Sequence, residues 1–96
     1  MKYIRFEWDQ DKNKINSRKH EISFEEARAV FNDPLARIIA DPDHSIAEDR
    51  FIMLGMSLRL RLLVVCHCYR ESNEVIRIIS ARKATKSESV QYGGKP

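Results

Sequence analysis

Ninety-six residues, 43% of them hydrophobic and with a formal net charge of +3, suit one small domain spanning 1–96 and exclude two, because so short a chain encloses a single modest core. No stretch reaches the ~18–20 apolar residues of a membrane span. The opening M-K-Y-I-R-F-E-W-D lacks the apolar run and cleavage site of a secretion signal, so a soluble cytoplasmic protein is expected. Charge is unevenly spread: residues 1–50 hold nine Lys or Arg against eleven Asp or Glu, and residues 51–96 hold eight against three. The basic second half is either a phosphate-attracting surface or ordinary solvated charge.

Tyr3 to Trp8 alternates polar and apolar residues and predicts a half-buried first strand. Asp9 is placed to cap a helix running to about His20, with Asp11 in its first turn and Arg18, Lys19 and His20 in its last. Ile15 is the only clear core residue of this helix, which is therefore expected on the surface. Ser23-Phe24-Glu25-Glu26 reads as a capping box for a second helix, and Phe24, Ala27, Val30 and Phe31 give it an apolar stripe to lay on a sheet. Asn32-Asp33-Pro34 ends it.

Leu35 to Ala40 predicts a second strand, and Asp41-Pro42-Asp43-His44 begins an acidic loop. Arg50 to Ser57 predicts a third strand with a bulge or bend at Gly55. The fourth, Arg59 to Tyr69, separates Leu60, Leu62, Val64, Cys66 and Cys68, expected in the core, from Arg59, Arg61, Leu63, Val65, His67 and Tyr69, expected on an open floor. Arg70 to Asn73 is a polar hairpin turn into a fifth strand. Thr85-x-x-Glu88 is a capping box for a short last helix. This order predicts an α+β fold: a small antiparallel sheet of about five strands, two N-terminal helices on one face and a short C-terminal helix.

Cys66 and Cys68 share a strand face, a geometry unsuited to a disulfide between them, and period-2 alternation turns His67 away. Free thiols and no metal site are expected. No Gly-rich phosphate loop, nucleophile elbow or metal-ligand pattern is present in the sequence, and no cofactor is expected. In the fifth strand, parity puts Arg77 with Val75, Ile79, Ala81 and Lys83, and puts Arg82 with Glu74, Ile76, Ile78 and Ser80. An open face joining Arg77 to Arg59, Arg61, His67 and Tyr69 suits RNA: guanidinium forks bind phosphate, Tyr and His stack on bases, and a carboxylate takes the proton of a ribose 2′-hydroxyl. The competing reading makes Arg77 a structural partner of Glu48, Glu71 or Glu74. His20 is either a proton-transfer group or a helix-terminal cation.

F-E-W-D at Phe6 to Asp9, then Lys12, Asn16, Lys19-His20, S-F-E-E-A at Ser23 to Ala27, F-N-D-P at Phe31 to Pro34, Glu48-x-Arg50, and R-I-I-S-A-R-K-A-T at Arg77 to Thr85 together resemble the BrnT family. The likeness covers nearly the whole chain in the family's order. It implies a RelE-like fold and a ribonuclease toxin of a bacterial type II toxin-antitoxin pair. Such a toxin is neutralised by a ribbon-helix-helix antitoxin of the BrnA type, itself the DNA-binding partner, in a heterotetramer or beside a free toxin homodimer. Lys19, His20, Glu48, Arg50, Arg77, Arg82 and Lys83 match motif positions, and Glu74 fits the acidic position before the last strand. Family members carry Gly after the Lys-His pair where this chain has Glu21, which costs roughly 1 kcal/mol if the backbone there is left-handed.

The resulting expectation is a metal-independent endoribonuclease without cofactor. Arg77 and Arg82 hold the scissile phosphate, Glu74 or His20 serves as base or acid, and Arg61 and Lys83 position the RNA, with Lys19, Arg50, Arg59, Tyr69 and Lys86 along its path. The alternative is a non-catalytic toxin fold kept for binding its antitoxin, suggested by Ser87 and Ser89 diluting the last helix's charge and by apolar Leu63, Val65 and Ile79. A DNA-binding regulator lacks a suitable recognition helix.

Overall fold

The computed structural model describes residues 4–40 and 50–94. The acidic loop with Asp41, Asp43, His44 and Glu48, and Tyr3 of the first predicted strand, lie outside the described residues. Strand β1 (Arg5–Glu7) leads into α1 (Gln10–His20), where Asp9 caps the helix by accepting from the amides of Asp11 at 2.8 Å and Lys12 at 3.2 Å. The helix stops at Glu21, which is left-handed at φ 60°, ψ 29° and donates its N–H to the Ser17 carbonyl. Glu21 thus holds, with a side chain, the conformation that favours glycine.

Helix α2 (Phe24–Arg28) begins as expected, with Ser23 Oγ accepting from the Glu26 amide at 3.0 Å, and tightens into a 3-10 turn over Ala29–Asn32. Only half of the predicted capping box forms. The Glu26 carboxylate turns to Arg61 and to the Ser57 hydroxyl.

Strands β2 (Arg37–Ile39), β3 (Phe51–Met56), β4 (Leu62–Arg70) and β5 (Val75–Lys83) make an antiparallel meander. The sheet order is β1-β5-β4-β3-β2, and β1 lies parallel to β5, so the sheet is mixed rather than wholly antiparallel. Two helices intervene between β1 and the rest of the sheet, and such a return lets β1 enter beside β5 running in the same direction. Helix α3 (Lys86–Ser89) follows β5 behind the complete Thr85–Glu88 capping box, and a 3-10 turn at Tyr92–Gly94 closes the described chain.

Ile22, Phe24, Ala27 and Val30 pack on Leu63, Val65, Ile78 and Ala81, which fixes the helix side of the sheet. The two faces of β4 are therefore the reverse of those expected: Leu63, Val65 and His67 are buried beneath the helices, while Leu62, Val64, Cys66 and Cys68 face the other way. Both faces of this strand are apolar at their centre, so alternation carried no information about which one the helices would take. A second, smaller cluster on the far side joins Ile39, Ile52, Leu54, Val64 and Cys66 under Ala84 and Tyr92. Asp33 ties that arrangement together, accepting from Tyr92 Oη, the Met56 amide and the Leu35 amide. These bonds keep Asp33 below its usual range although burial pushes it up, and the Tyr92 phenol is pushed up to about 12 by the same contact.

Gly55 makes no bulge, since it pairs in register with Leu63. Its lack of a side chain serves a close approach: a Cβ there would stand 2.6 Å from Val30 Cγ1 and 2.9 Å from Ala36 Cβ. Among the described residues no helix is long and apolar enough to cross a membrane.

Candidate functional site

The register of β4 against β5 breaks once. Cys66 pairs with Ser80 and His67 with Ile78, so Ile79 is an extra residue, a bulge in β5. Ile76 and Ile78 lie on the helix side before it, and Ala81 and Lys83 after it. Arg77, Ser80 and Arg82 consequently share the face away from α2. Strict alternation had separated Arg77 from Arg82; one inserted residue reunites them.

Beyond β1 the outer edge of β5 is met by α1 rather than by a strand. Asn16, buried in the helix, donates from Nδ2 to the Ala81 carbonyl at 2.9 Å and accepts at Oδ1 from the Ala81 amide at 3.1 Å, as a neighbouring strand would. Its Nδ2 also reaches the Ile22 carbonyl at 2.8 Å. Asn13 takes the Phe24 amide at 2.8 Å, so the two asparagines form the inward side of α1. Ile15, expected in the core, is instead 59% exposed. The helix is anchored by amide hydrogen bonds, which leaves its lone aliphatic side chain free to point elsewhere.

Where α1, the bulge and the ends of β4 and β5 meet, a cleft of about 490 Å³ opens, lined by Lys12, Arg50, Cys68, Tyr69, Arg70, Arg77 and Ile79. Four of these seven are cations. Arg77 NH1 donates to Glu7 Oε2 at 2.9 Å across the β1–β5 pairing, and Arg70 Nε approaches the same oxygen at 3.6 Å. The structural partner of Arg77 is thus Glu7 rather than Glu71 or Glu74; Glu48 lies outside the described residues. With one contact taken by Glu7, the guanidinium fork of Arg77 keeps further N–H groups with which to bind an anion. A second cleft of about 200 Å³ adjoins the first through Lys12 and Ile79, and is otherwise lined by Ile15, Asn16, Lys19, His20 and Ser80.

Of the residues expected at a site, Arg77, Arg50 and Tyr69 meet in the larger cleft and Lys19 and His20 in the smaller. The remainder are dispersed. Arg82 makes a two-pronged pair with Glu88, at 2.8 Å for each contact, at the corner between β5 and α3. That hydrogen bonding holds the Glu88 carboxyl down at about 2, against burial that pushes it up. Lys83 is exposed at the end of β5 with the helix-side parity, and Lys86 is exposed at the start of α3. Glu74 is exposed in the turn before β5, its carbonyl accepting from the Arg5 amide.

Arg59, Arg61, His67 and Tyr69 do not share Arg77's face. Arg59 is exposed in the turn before β4, at the opposite end of that strand from Arg70. Arg61 grips Glu26 and the Glu21 carbonyl, joining the end of α1 to α2, and its hydrogen bond holds Glu26 below the usual carboxylate range against the effect of burial. His67 is fully buried among Phe31, Phe51 and Tyr69. Its Nδ1 lies 3.1 Å from the Val65 carbonyl, Nε2 has no partner among the described residues, and burial pushes its pKa down. Tyr69 reaches the cleft wall while its ring leans on Phe51.

Glu7, Arg70 and the bulge at Ile79 escaped the sequence reading, which gave Ile15 to the core. Glu7 and Arg77 are direct neighbours only through the parallel β1–β5 pairing, and a bulge leaves no mark in an alternating apolar pattern. Among the described residues no three His, Cys, Asp or Glu side chains converge as metal ligands.

The model of a protein family described as "Ribonuclease toxin, BrnT, of type II toxin-antitoxin system" matches residues 8–88. The chain is also similar in fold to the Brucella abortus ribonuclease toxin BrnT, solved by crystallography at 1.1 Å. The TM-score is 0.61 at 24% sequence identity, over 90% of this chain and 99% of that one. No curated protein sequence matches.

Proposed function

The chain belongs to the BrnT family of ribonuclease toxins of type II toxin-antitoxin systems, and from that premise we propose that it is a metal-independent endoribonuclease, one toxin domain over 1–96. We propose further that it acts in the cytoplasm and is neutralised by a ribbon-helix-helix antitoxin of the BrnA type. The observation that carries this reading is the larger cleft, where Lys12, Arg50, Arg70 and Arg77 converge on one open space. A polyanion is the ligand such a wall attracts, and single-stranded RNA is the one that fits a site of this size with an aromatic at its rim.

In the reaction the ribose 2′-oxygen forms a bond to the adjacent phosphorus as the bond from phosphorus to the 5′-oxygen breaks. The products are a 2′,3′-cyclic phosphate and a 5′-hydroxyl. Arg77, already oriented by Glu7, bears the charge that develops on the phosphate oxygens, the task for which a preorganised guanidinium is suited. Arg82 lies on the same face and adds to the field while anchored by Glu88.

His20 or Glu74 moves the proton between the 2′-hydroxyl and the leaving oxygen. His20 is favoured, because it lines the adjoining cleft whereas Glu74 sits exposed in the turn. Lys19, Arg50 and Tyr69 lie along the RNA path, and Arg59, Arg61, Lys83 and Lys86 lend charge at longer range.

The second reading is a toxin fold that binds its antitoxin without cutting RNA. The specific observation behind it is that Arg77 and Arg82 are both already paired with carboxylates. One experiment separates the two. End-labelled RNA incubated with the purified protein in excess EDTA is cut internally, and Arg77→Ala lowers the rate about 10²-fold or more. Intact RNA under those conditions, together with undiminished binding of the antitoxin, would establish the second reading in place of the first.

A further inference from the structure

Ile15 is exposed although nothing in the anchoring of α1 requires it to be. It is the only aliphatic residue of α1, it is 59% exposed, and it lies in the smaller cleft with Ile79, the residue the β5 bulge displaces from the regular pairing. A bulge re-aims a side chain, and here the re-aimed one joins an exposed isoleucine to make an apolar floor. Lys12, Ile15 and Lys19 stand at i, i+3 and i+7, one stripe of the helix. The two lysines lie roughly 10 Å apart along the axis. They bracket the floor.

We propose that this smaller cleft seats the base of a nucleotide flanking the scissile phosphate, its face against Ile15 and Ile79 and its neighbouring phosphates on Lys12 and Lys19. The inference rests on the reading that the larger cleft takes RNA, and extends it to the substrate's next residue. Lys12 and Ile79 belong to both clefts, so a strand leaving Arg77 runs directly onto this floor. An apolar patch framed by cations matches a nucleotide, which is apolar on the face of its base and anionic at both ends. A partner helix is a poor match, since about 200 Å³ does not admit a cylinder some 10 Å across.

The test uses the full chain and oligoribonucleotides with 2′-O-methyl groups, which cannot be cut by the reaction above. One is fully based, and in the others a single nucleotide at successive positions is abasic. For the wild type, binding followed by fluorescence anisotropy weakens about tenfold when the missing base falls at one flanking position. Ile15→Ala, harmless to helix propensity, abolishes that difference by weakening the fully based RNA to the abasic level. Arg77→Ala weakens both RNAs and preserves the ratio between them.

Equal binding of the based and abasic RNAs by the wild type, or a tenfold ratio that survives Ile15→Ala, would overturn the proposal. It also falls if Ile15→Ala leaves RNA binding untouched and instead loosens the co-expressed antitoxin, which would make the cleft a protein contact. Absence of cutting on unmodified RNA with the Ile15-dependent base effect intact would remove the ribonuclease reading and leave the subsite standing. Cutting without that effect would do the reverse.

Discussion

Replacing Glu88 by Gln removes a charge and little else, and its cost can be worked from the structure. The carboxylate is 11% exposed, is held by both prongs of Arg82 and accepts from the Thr85 amide. A carboxyl held at about 2 against an ordinary 4.5 carries about 3 kcal/mol of stability at pH 7. The folded value lies below the unfolded one, so this contribution is present above pH 4.5 and is lost as the pH falls toward 2; at pH 3 roughly 1.4 kcal/mol remains.

The amide of Gln keeps the Thr85 contact, and Arg82, itself 36% exposed, regains water, which trims the expected loss to about 2 kcal/mol at pH 7. Urea unfolding at pH 7 and pH 3 measures it. The gap between wild type and Glu88→Gln is about 2 kcal/mol at the higher pH and less than about 1 at the lower. A gap of the same size at both pH values would show that packing rather than charge was lost and refute the reasoning. The same variant is the control that Arg82→Ala requires, since any fall in RNA cleavage there has to exceed what the broken pair does to the corner between β5 and α3.

Asn16→Ala strips partners from the Ala81 amide and carbonyl and from the Ile22 carbonyl; a loss of about 3 kcal/mol is expected in chemical denaturation, from the cost of unsatisfied buried groups. Glu21→Gly relieves a left-handed residue at φ 60° and raises stability by about 0.5–1 kcal/mol, read as a higher thermal midpoint. Burial pushes the His67 pKa down, so its neutral form stabilises the fold fully above about pH 6.5 and that contribution is lost as the pH falls through the folded value. In urea midpoints taken between pH 7 and 5, wild type loses stability more steeply than His67→Leu; parallel slopes would show that His67 does not titrate differently on folding.

The elements were legible where a local rule decides them. Asp9 and Ser23 cap helices, Thr85 and Glu88 close a capping box, and the antiparallel run from β3 to β5 follows from short connections. Glu21 is left-handed, the condition under which the sequence attaches a cost to a side chain there. What failed was the assignment of β4's two faces, whereas Ile76 and Ile78 turn to the core and Arg77 away from it as expected. β4 is apolar on both sides, and the choice between them was made by Phe24 and Val30, far off in sequence. The site suffered twice over, because Arg77 and Arg82 were divided by a parity that Ile79 breaks, and because Glu7 reaches Arg77 only through a parallel pairing over 70 positions. Ile15 was misplaced for a related reason: an aliphatic residue alone on a polar helix reads as core when the asparagines that do the anchoring look like surface.

The pairing of Asn16 with Ala81 also sets a sequence of events. Helix α1 has no apolar stripe to hold it against a growing sheet, and its chief anchor waits for a residue 65 positions later. Closing so long a loop gains nothing until β5 has been laid beside β4. In a chain emerging from the ribosome, β5 appears after β1 to β4, so Lys12, Lys19 and His20 have no cleft to line until Lys83 has been made. A nascent chain that lacks β5 therefore has neither cleft, and the cationic wall proposed to take RNA forms only with the completed sheet.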